Sequence, residues 1–259
     1  MPSPANLIPV AASWSRRLLG RLAAAVAVVV LVGCSTSTET STPTTSARRT
    51  TTTSPELTTS EVENLLLAVD DLPPNWSPGG AGDDSSDAAE PGEPAGGSED
   101  AEADLFCPAA AEPLRNEAHQ AAEVSFSRSS MGPEFAQSLL SAPDPAAHFE
   151  DVQRVFDSCL GQPWTMDADG ETMTMSMSTT SPPDLGDAAV SYRVNGTGSQ
   201  GTTVAMDIDV VRRGSVVQAY FGVSFAAPGV DVEQFGPDEF NQMVATGDAK
   251  VADGLSGTA

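Results

Sequence analysis

Four successive segments in the second half of the chain alternate between apolar and polar side chains, and this pattern constrains the fold more than any other feature. Residues 172–178 place three methionines on one side of a strand and hydroxyl groups on the other. Three later segments repeat the alternation, with apolar side chains at Val190, Tyr192 and Val194; Val204, Met206, Ile208 and Val210; and Val217, Ala219, Phe221, Val223 and Phe225. The turns between them are too short for parallel crossovers, so the pattern predicts an antiparallel β-meander of about four to five strands.

Helical patterns flank this sheet region in the sequence. Residues 145–159 follow the start signal Pro143-Asp144-Pro145 and carry an apolar stripe that ends in Cys159. Further helices are predicted at 60–70, where Ser60 and Glu63 have capping-box spacing, at 112–122, at 133–140, and from residue 237 onward. With helices before and after one sheet, the predicted class is α+β, with the helices packed on one face of the sheet.

The beginning of the chain predicts export. Residues 1–33 contain three arginines and no acid, then a run of about eleven apolar residues, which is too short for a hydrocarbon core that needs about twenty. Leu-Val-Gly-Cys at the end of this run resembles the bacterial lipobox, and the resemblance implies that Cys34 becomes the acylated first residue of the mature protein. The expected location is the extracytoplasmic face of the cell membrane, with the membrane itself as a partner through the lipid anchor.

The charge of the chain excludes several functions. Without residues 1–33, nine basic residues stand against 36 acidic ones, a net charge of −27. Such a surface repels phosphates and anionic headgroups, so no nucleic-acid partner is expected. Stable attachment to a membrane would need two or more acyl chains, because a single chain binds only marginally.

Composition divides the rest of the chain. Residues 34–56 are rich in Ser and Thr and predict a tether behind the lipidated cysteine. Residues 57–255 form the predicted domain, interrupted by a disordered acidic loop at 77–104. The acids of this loop lack the ligand spacing of a calcium site, so we expect no metal there.

Three cysteines fit an exported chain. If Cys34 carries lipid, Cys107 and Cys159 remain, and an oxidising surrounding favours a disulfide between them. The alternatives are a free thiol pair or half of a metal site, and neither has histidines close by in the sequence.

Candidate catalytic residues are few. The only histidines are His119 and His148, and we expect both to be ordinary surface or half-buried side chains. The Gly-x-Ser-x-Gly elbow, the zinc signatures and the phosphate-binding glycine loop do not occur, so no catalytic residue, enzyme activity or cofactor is predicted. Met173, Met175 and Met177 raise the alternative of a Cu(I) site. Side chains on one face of a strand lie nearly 7 Å apart, which favours a buried methionine row over a metal site.

Basic residues are concentrated in the predicted sheet. Tyr192, Arg193, Arg212 and Arg213 are candidates for contact with an anionic ligand. Charge balance against Asp207 and Asp209 explains the same arginines without any ligand.

Several features together resemble a known family. They are the lipobox, the Ser/Thr tether, Asp71-Leu72-Pro73, a cysteine followed some fifty residues later by Phe156-Asp157-Ser158-Cys159, and Val211-Arg212-Arg213-Gly214-Ser215-Val216-Val217 before an Ala-rich final helix. This layout, over about residues 57–255, resembles actinobacterial lipoproteins related to the PknH-like extracellular sensor domain. That family often has four structural cysteines, whereas this chain offers two. The resemblance implies an extracytoplasmic sensing or ligand-binding module.

The sequence thus predicts a membrane-anchored lipoprotein whose single domain binds an unknown small-molecule or protein ligand without catalysis. The alternative is an envelope carrier that holds a lipid or other apolar molecule between sheet and helices. A carrier would need an apolar cavity of several hundred Å³.

Overall fold

The computed structural model describes residues 56–79, 107, 108, 110, 121–129, 132–168, 171–230 and 232–257. Their regular elements are, in chain order, α1 (Thr59–Glu63), a 3₁₀ helix (Val69–Asp71), β1 (Ser77–Pro78), β2 (Ala121–Ser127), β3 (Glu134–Ser141), α2 (Pro145–Asp157), β4 (Trp164–Ala168), β5 (Glu171–Thr179), β6 (Ala188–Gly198), β7 (Thr203–Arg213), β8 (Val216–Ala226) and α3 (Pro237–Gly257). Cys34, the predicted signal and tether, and most of the acidic loop lie outside the described residues.

All eight strands form one antiparallel sheet in the order β1-β2-β3-β8-β7-β6-β5-β4. Strands β4 to β8 pair with their neighbours in the chain, and β3 adds to the free side of β8. The connection from β3 to β4 therefore passes across four strands of the sheet, β8, β7, β6 and β5, and α2 lies within this connection.

The predicted α+β class with four to five strands is wrong, because the described part of the chain is mostly β. Strand β3 occupies residues for which the sequence predicted a helical turn. Phe135, Leu139 and Leu140 have helix-like spacing, but every side chain of β3 is buried, since the strand lies in the sheet interior with both faces covered. A short run that is buried on both faces cannot be distinguished from a helix by periodicity.

The helices lie on opposite faces of the sheet, and the prediction of one covered face is also wrong. Helix α2 packs Phe149, Val152 and Phe156 against the even-numbered side chains of β7, such as Ile208. Helix α3 covers the other face. Because both faces are covered, polar side chains in the middle strands become part of the interior.

Helix α3 contributes Phe240, Met243 and Val244 to the second core cluster, where they meet Val211 of β7 and Tyr220 of β8. The helix comes so close to β8 that a Cβ atom on Gly222 would lie 2.5 Å from the Phe240 ring. This close approach requires glycine at position 222.

The local predictions had mixed outcomes. Helix α2 is confirmed, with Asp144 as its N-cap accepting from the Ala147 amide at 3.0 Å. The final helix is confirmed as well. The opening helix is shorter than predicted, and its capping box joins Thr58 to Glu61 instead of Ser60 to Glu63.

The predicted disulfide between Cys107 and Cys159 is present. Both cysteines are buried, with exposed fractions of 3% and 0%. Cys159 directly follows the last turn of α2, so the bond attaches the segment at Cys107 to the helix that covers the core.

Candidate functional site

The four predicted ligand-contact residues do not converge on one site. In the strand register, Tyr192 of β6 and Arg212 of β7 face α2, whereas Arg193 and Arg213 face the α3 side. Tyr192 lies opposite Ile208, four residues along β7 from Arg212, a separation of about 13 Å at strand rise. The arginines therefore do not form a shared anion site.

Tyr192 is a core residue. It is 1% exposed, its ring packs 5.3 Å from that of Phe156, and its hydroxyl donates to Asp157 Oδ1 at 2.9 Å. Burial, followed by the hydrogen bond to Asp157, raises the pKa of Tyr192 far above its usual range. The side chain serves to fasten the end of α2 to the sheet.

Arg193 is neutralised within the sheet. Its Nε and Nη2 donate to the two carboxylate oxygens of Asp207, both at 2.8 Å, and this hydrogen bonding raises the pKa of Arg193. The Arg193 side chain is 40% exposed, so the pair contributes about 1 kcal/mol or less to stability. Arg212 is half-buried at the end of β7, and its carbonyl accepts from the Asp187 amide at 2.7 Å.

A chain of hydrogen bonds runs beneath α3, and we call its side chains the inner polar cluster (Gln137, Arg213, Gln218, Tyr220 and Asp248). The Leu67 amide donates to Gln137 Oε1 at 2.8 Å, and Gln137 Nε2 donates to the Tyr220 hydroxyl at 3.5 Å. The Tyr220 hydroxyl donates to Gln218 Oε1 at 2.5 Å, and Gln218 Nε2 donates to Asp248 Oδ1 at 2.9 Å. The cluster joins the segment at Leu67 to β3, β8 and α3.

Asp248 is the acceptor on which the inner polar cluster ends. Arg213 donates to it from Nε at 2.7 Å and from Nη2, and the Gly186 amide donates at 3.3 Å. Asp248 is 1% exposed. Burial raises the pKa of Asp248, but the hydrogen bonds from Arg213 and Gln218, the charge of Arg213 and the Gly186 amide together lower it below its usual value.

Asp209 is a second buried acid that sequence analysis misplaced. The sequence predicted that Asp209 balances the charge of the arginines, yet Asp209 is 4% exposed, since α3 covers its face of the sheet. No signal in the alternation of β7 distinguishes it from Asp207. Asp248 did have a signal, because it falls four residues after Val244 and three before Val251, on the apolar stripe of α3.

One part of the sheet presents polar side chains to solvent. Four threonines lie directly opposite one another across β4, β5, β6 and β7, and the next position on β5 and β6 is occupied by serine and asparagine. We call this surface the hydroxyl face; it comprises Thr165, Thr174, Ser176, Asn195, Thr197 and Thr203, all exposed. Strand spacing sets the four threonines about 4.8 Å apart from one to the next.

The methionine row lies in the core. Met173, Met175 and Met177 are 0%, 3% and 5% exposed and belong to the cluster under α2. His148 is also buried, at 3% exposed, contrary to the prediction of a surface or half-buried side chain, and His119 lies outside the described residues. In the described ranges, no three His, Cys, Asp or Glu side chains are grouped so that they could hold a metal ion.

None of the helices in the described part of the chain combines the length and apolar character needed to cross a bilayer.

Comparison with known proteins yields little. No protein-family model matches the chain, and no curated protein matches it. The fold is similar to the crystal structure of the extracellular domain of PknH from Mycobacterium tuberculosis, with a TM-score of 0.40 and 12% sequence identity. The similarity covers 51% of this chain and 64% of that domain, which is less than two thirds of its length. The resemblance is therefore loose, and it carries no argument about what this chain binds.

Proposed function

We propose that this protein is an extracytoplasmic lipoprotein, held on the cell membrane by acyl chains at Cys34, whose domain is a non-catalytic ligand-binding or sensor-like module. The observation that carries the proposal is the buried disulfide between Cys107 and Cys159, because structural disulfides persist in oxidising compartments. The lipobox-like end of residues 1–33 agrees with such a compartment.

The arrangement of charged side chains favours binding over catalysis. Tyr192 donates to Asp157, Arg193 to Asp207 and Arg213 to Asp248, so each of these groups is engaged in holding the fold. A general acid or base must reach a substrate, and a buried group such as Asp248 does not.

The hydroxyl face is where we place the ligand contact. Its threonine, serine and asparagine side chains offer donors and acceptors without net charge, on a chain whose net charge is −24. An uncharged polar ligand, or a polar protein surface, would meet no repulsion there. The Arg193–Asp207 pair borders the face and adds no net charge to it, whereas the exposed Asp167 on β4 places one negative charge at its edge.

In the part of the chain that the structure describes, no observation favours the carrier alternative. The space between the sheet and α2 is filled by large, fully buried side chains that belong to one continuous cluster, among them Phe156, Met173, Tyr192 and Ile208. We therefore propose the sensor-like function alone.

Replacing Cys34 by Ala is expected to move the protein from the membrane to the soluble fraction, because acyl attachment requires the thiol. The measurement is phase partition in a cloud-point detergent together with incorporation of radiolabelled palmitate. Ser35→Ala is the matched control and should leave partition and labelling unchanged. Wild-type protein that takes up no palmitate and remains in the aqueous phase would contradict the proposal.

Native mass spectrometry of the full lipidated chain, purified from its own envelope in mild detergent, is expected to detect a bound polar molecule or protein partner. Thr197→Arg should abolish this adduct, since it introduces a long charged side chain in the middle of the hydroxyl face. Gln242→Arg, on an exposed position of α3, is the control and should retain it. An adduct that persists in Thr197→Arg, or that proves to be an apolar lipid, would refute the assignment of the ligand contact.

A further inference from the structure

Asp209 lies inside the sheet at a point where strands β6, β7 and β8 meet helix α3. It pairs with Ser191 on one side and Tyr220 on the other. Its side chain points to the face covered by α3 and is 4% exposed. On β8, the neighbouring position Gly222 touches Phe240, and Tyr220 lies against Gly247. The carboxyl group is thus enclosed between the sheet and helix α3.

The hydrogen bonds of Asp209 are incomplete. The Ser191 hydroxyl donates to Oδ1, whereas Oδ2 is buried and has no donor in the described part of the chain. The Tyr220 hydroxyl, on the paired residue, already donates to Gln218. A buried carboxylate oxygen without a donor is costly, and a proton on the carboxyl group removes that cost.

The charged and titratable groups around Asp209 do not compensate its charge. From β7, Asp207 adds a second negative charge, and the facing Arg193 of β6 is engaged with Asp207. From α3, Asp248 is also negative, and it holds Arg213 of β7. From β8, the nearest titratable group is Tyr220, which stays neutral because burial raises its pKa far above its usual range. The cations in this region are therefore committed to other acids.

These surroundings change the proton affinity of the carboxyl group. Burial raises the pKa of Asp209 from 3.8 to about 6; the Ser191 hydrogen bond opposes the rise and the charge of Asp207 adds to it. The Ser191 hydroxyl can either donate to the carboxylate or accept from the protonated acid, so the same contact serves both states.

We propose that Asp209 is a proton-binding site through which the domain responds to acidification. Proton uptake at Asp209 strengthens the packing of helix α3 against the sheet. The direction in which stability changes with pH follows from the linkage between proton binding and folding. The folded state binds the proton more strongly than the unfolded chain, so stability from this group is fully present below the unfolded pKa of 3.8 and is lost as the pH rises through about 6. Lowering the pH from 7.5 to 5 therefore raises the folding equilibrium constant about tenfold through Asp209.

The test compares wild-type protein with Asp209→Asn at pH 7.5 and pH 5, using urea unfolding and hydrogen exchange of the α3 amides. The wild type should gain about tenfold in folding equilibrium constant relative to the variant, and the protection factors of its α3 amides, corrected for the intrinsic exchange rate at each pH, should rise at pH 5 more than those of the variant. All other titrating groups are shared, so the difference isolates Asp209. An equal response of the two proteins would overturn the proposal.

A direct titration decides the matter even if Asp209→Asn fails to fold. The ¹³C resonance of the Asp209 carboxyl group in the wild-type protein is expected to titrate with a midpoint near pH 6. Ser191→Ala should raise this midpoint and Asp207→Asn should lower it, since the hydroxyl favours the carboxylate and the neighbouring charge opposes it. A wild-type midpoint close to 4 would also overturn the proposal.

Discussion

Replacing Asp248 by Ala is expected to lower the free energy of unfolding by about 3 to 5 kcal/mol. The change removes the acceptor for Arg213, for the Gln218 amide and for the Gly186 N–H, and so leaves interior donors without a partner. The Arg213 side chain is 29% exposed and can regain some water, which places the expected loss near the lower end of this range.

Urea unfolding at pH 7 measures this loss. Asp248→Asn should cost less than Asp248→Ala, because an amide oxygen in the place of Oδ1 can still accept from Arg213 Nε and Gln218 Nε2. Asp253→Ala, at an exposed position of the same helix, is the matched control and should change stability by about 0.5 kcal/mol or less. If Asp248→Ala were as mild as this control, the inner polar cluster would not stabilise the fold.

Acidification tests the same residue independently. Since the pKa of Asp248 is lowered in the folded state, its contribution is fully present above the unfolded value of 3.8 and is lost as the pH falls through the folded pKa. The effect of Asp248 thus appears below about pH 4, whereas the opposite effect of Asp209 falls between about pH 6 and 4. The two acids can be distinguished by their pH windows.

Removing the disulfide is the second large effect that we expect. The double variant Cys107→Ala/Cys159→Ala should be less stable than wild type by about 4 kcal/mol, because the bond closes a loop with a sequence separation of 52 and so reduces the entropy of the unfolded chain. The loss is increased by any void left where these two buried side chains pack.

Thermal unfolding with and without reductant checks this expectation. Reductant should lower the melting temperature of the wild type toward that of the double variant and should leave the double variant unchanged. If the wild-type melting temperature does not move although mass spectrometry finds both thiols reduced, the covalent bond adds no stability beyond that of the packed side chains.

Strands β5, β6 and β7 could be predicted because each buries one face more strictly than the other, whereas β8 is buried on both faces and was predicted from the polar Gln218 and Ser224 that stand between its apolar side chains. The alternation of apolar and polar side chains then predicts the strand from the sequence, as in the row of Met173, Met175 and Met177. Strand β4 was missed although Trp164 and Met166 alternate with Thr165 and Asp167, since five residues are too few to be decisive. Strand β3 was missed because both of its faces are buried and its apolar residues Phe135, Leu139 and Leu140 have helix-like spacing.

The candidate site was harder to predict than the fold. Tyr192 and Arg193 are adjacent on β6, and Arg212 and Arg213 are adjacent on β7, but the strand register sets the two pairs four to six residues apart and alternation sends each pair to two faces. Their partners Asp157 and Asp248 lie 35 residues away in the chain in each case. Contacts at such separations have no local pattern, so a sequence can nominate a charged residue without revealing which acid neutralises it.

The amino-acid sequence by itself determined the repeated strands, the two longer helices and the cysteine pair, because periodicity, capping residues and cysteine number are local properties of the chain. Only the tertiary structure decided that β3 joins β8, that α2 and α3 cover opposite faces, and that Asp209 and Asp248 are buried. The physical reason is that burial depends on which elements meet. A carboxylate can stand in the same alternating sequence pattern whether its face of the strand is open to water or covered by a helix. Only the covering helix changes the hydration of that carboxylate.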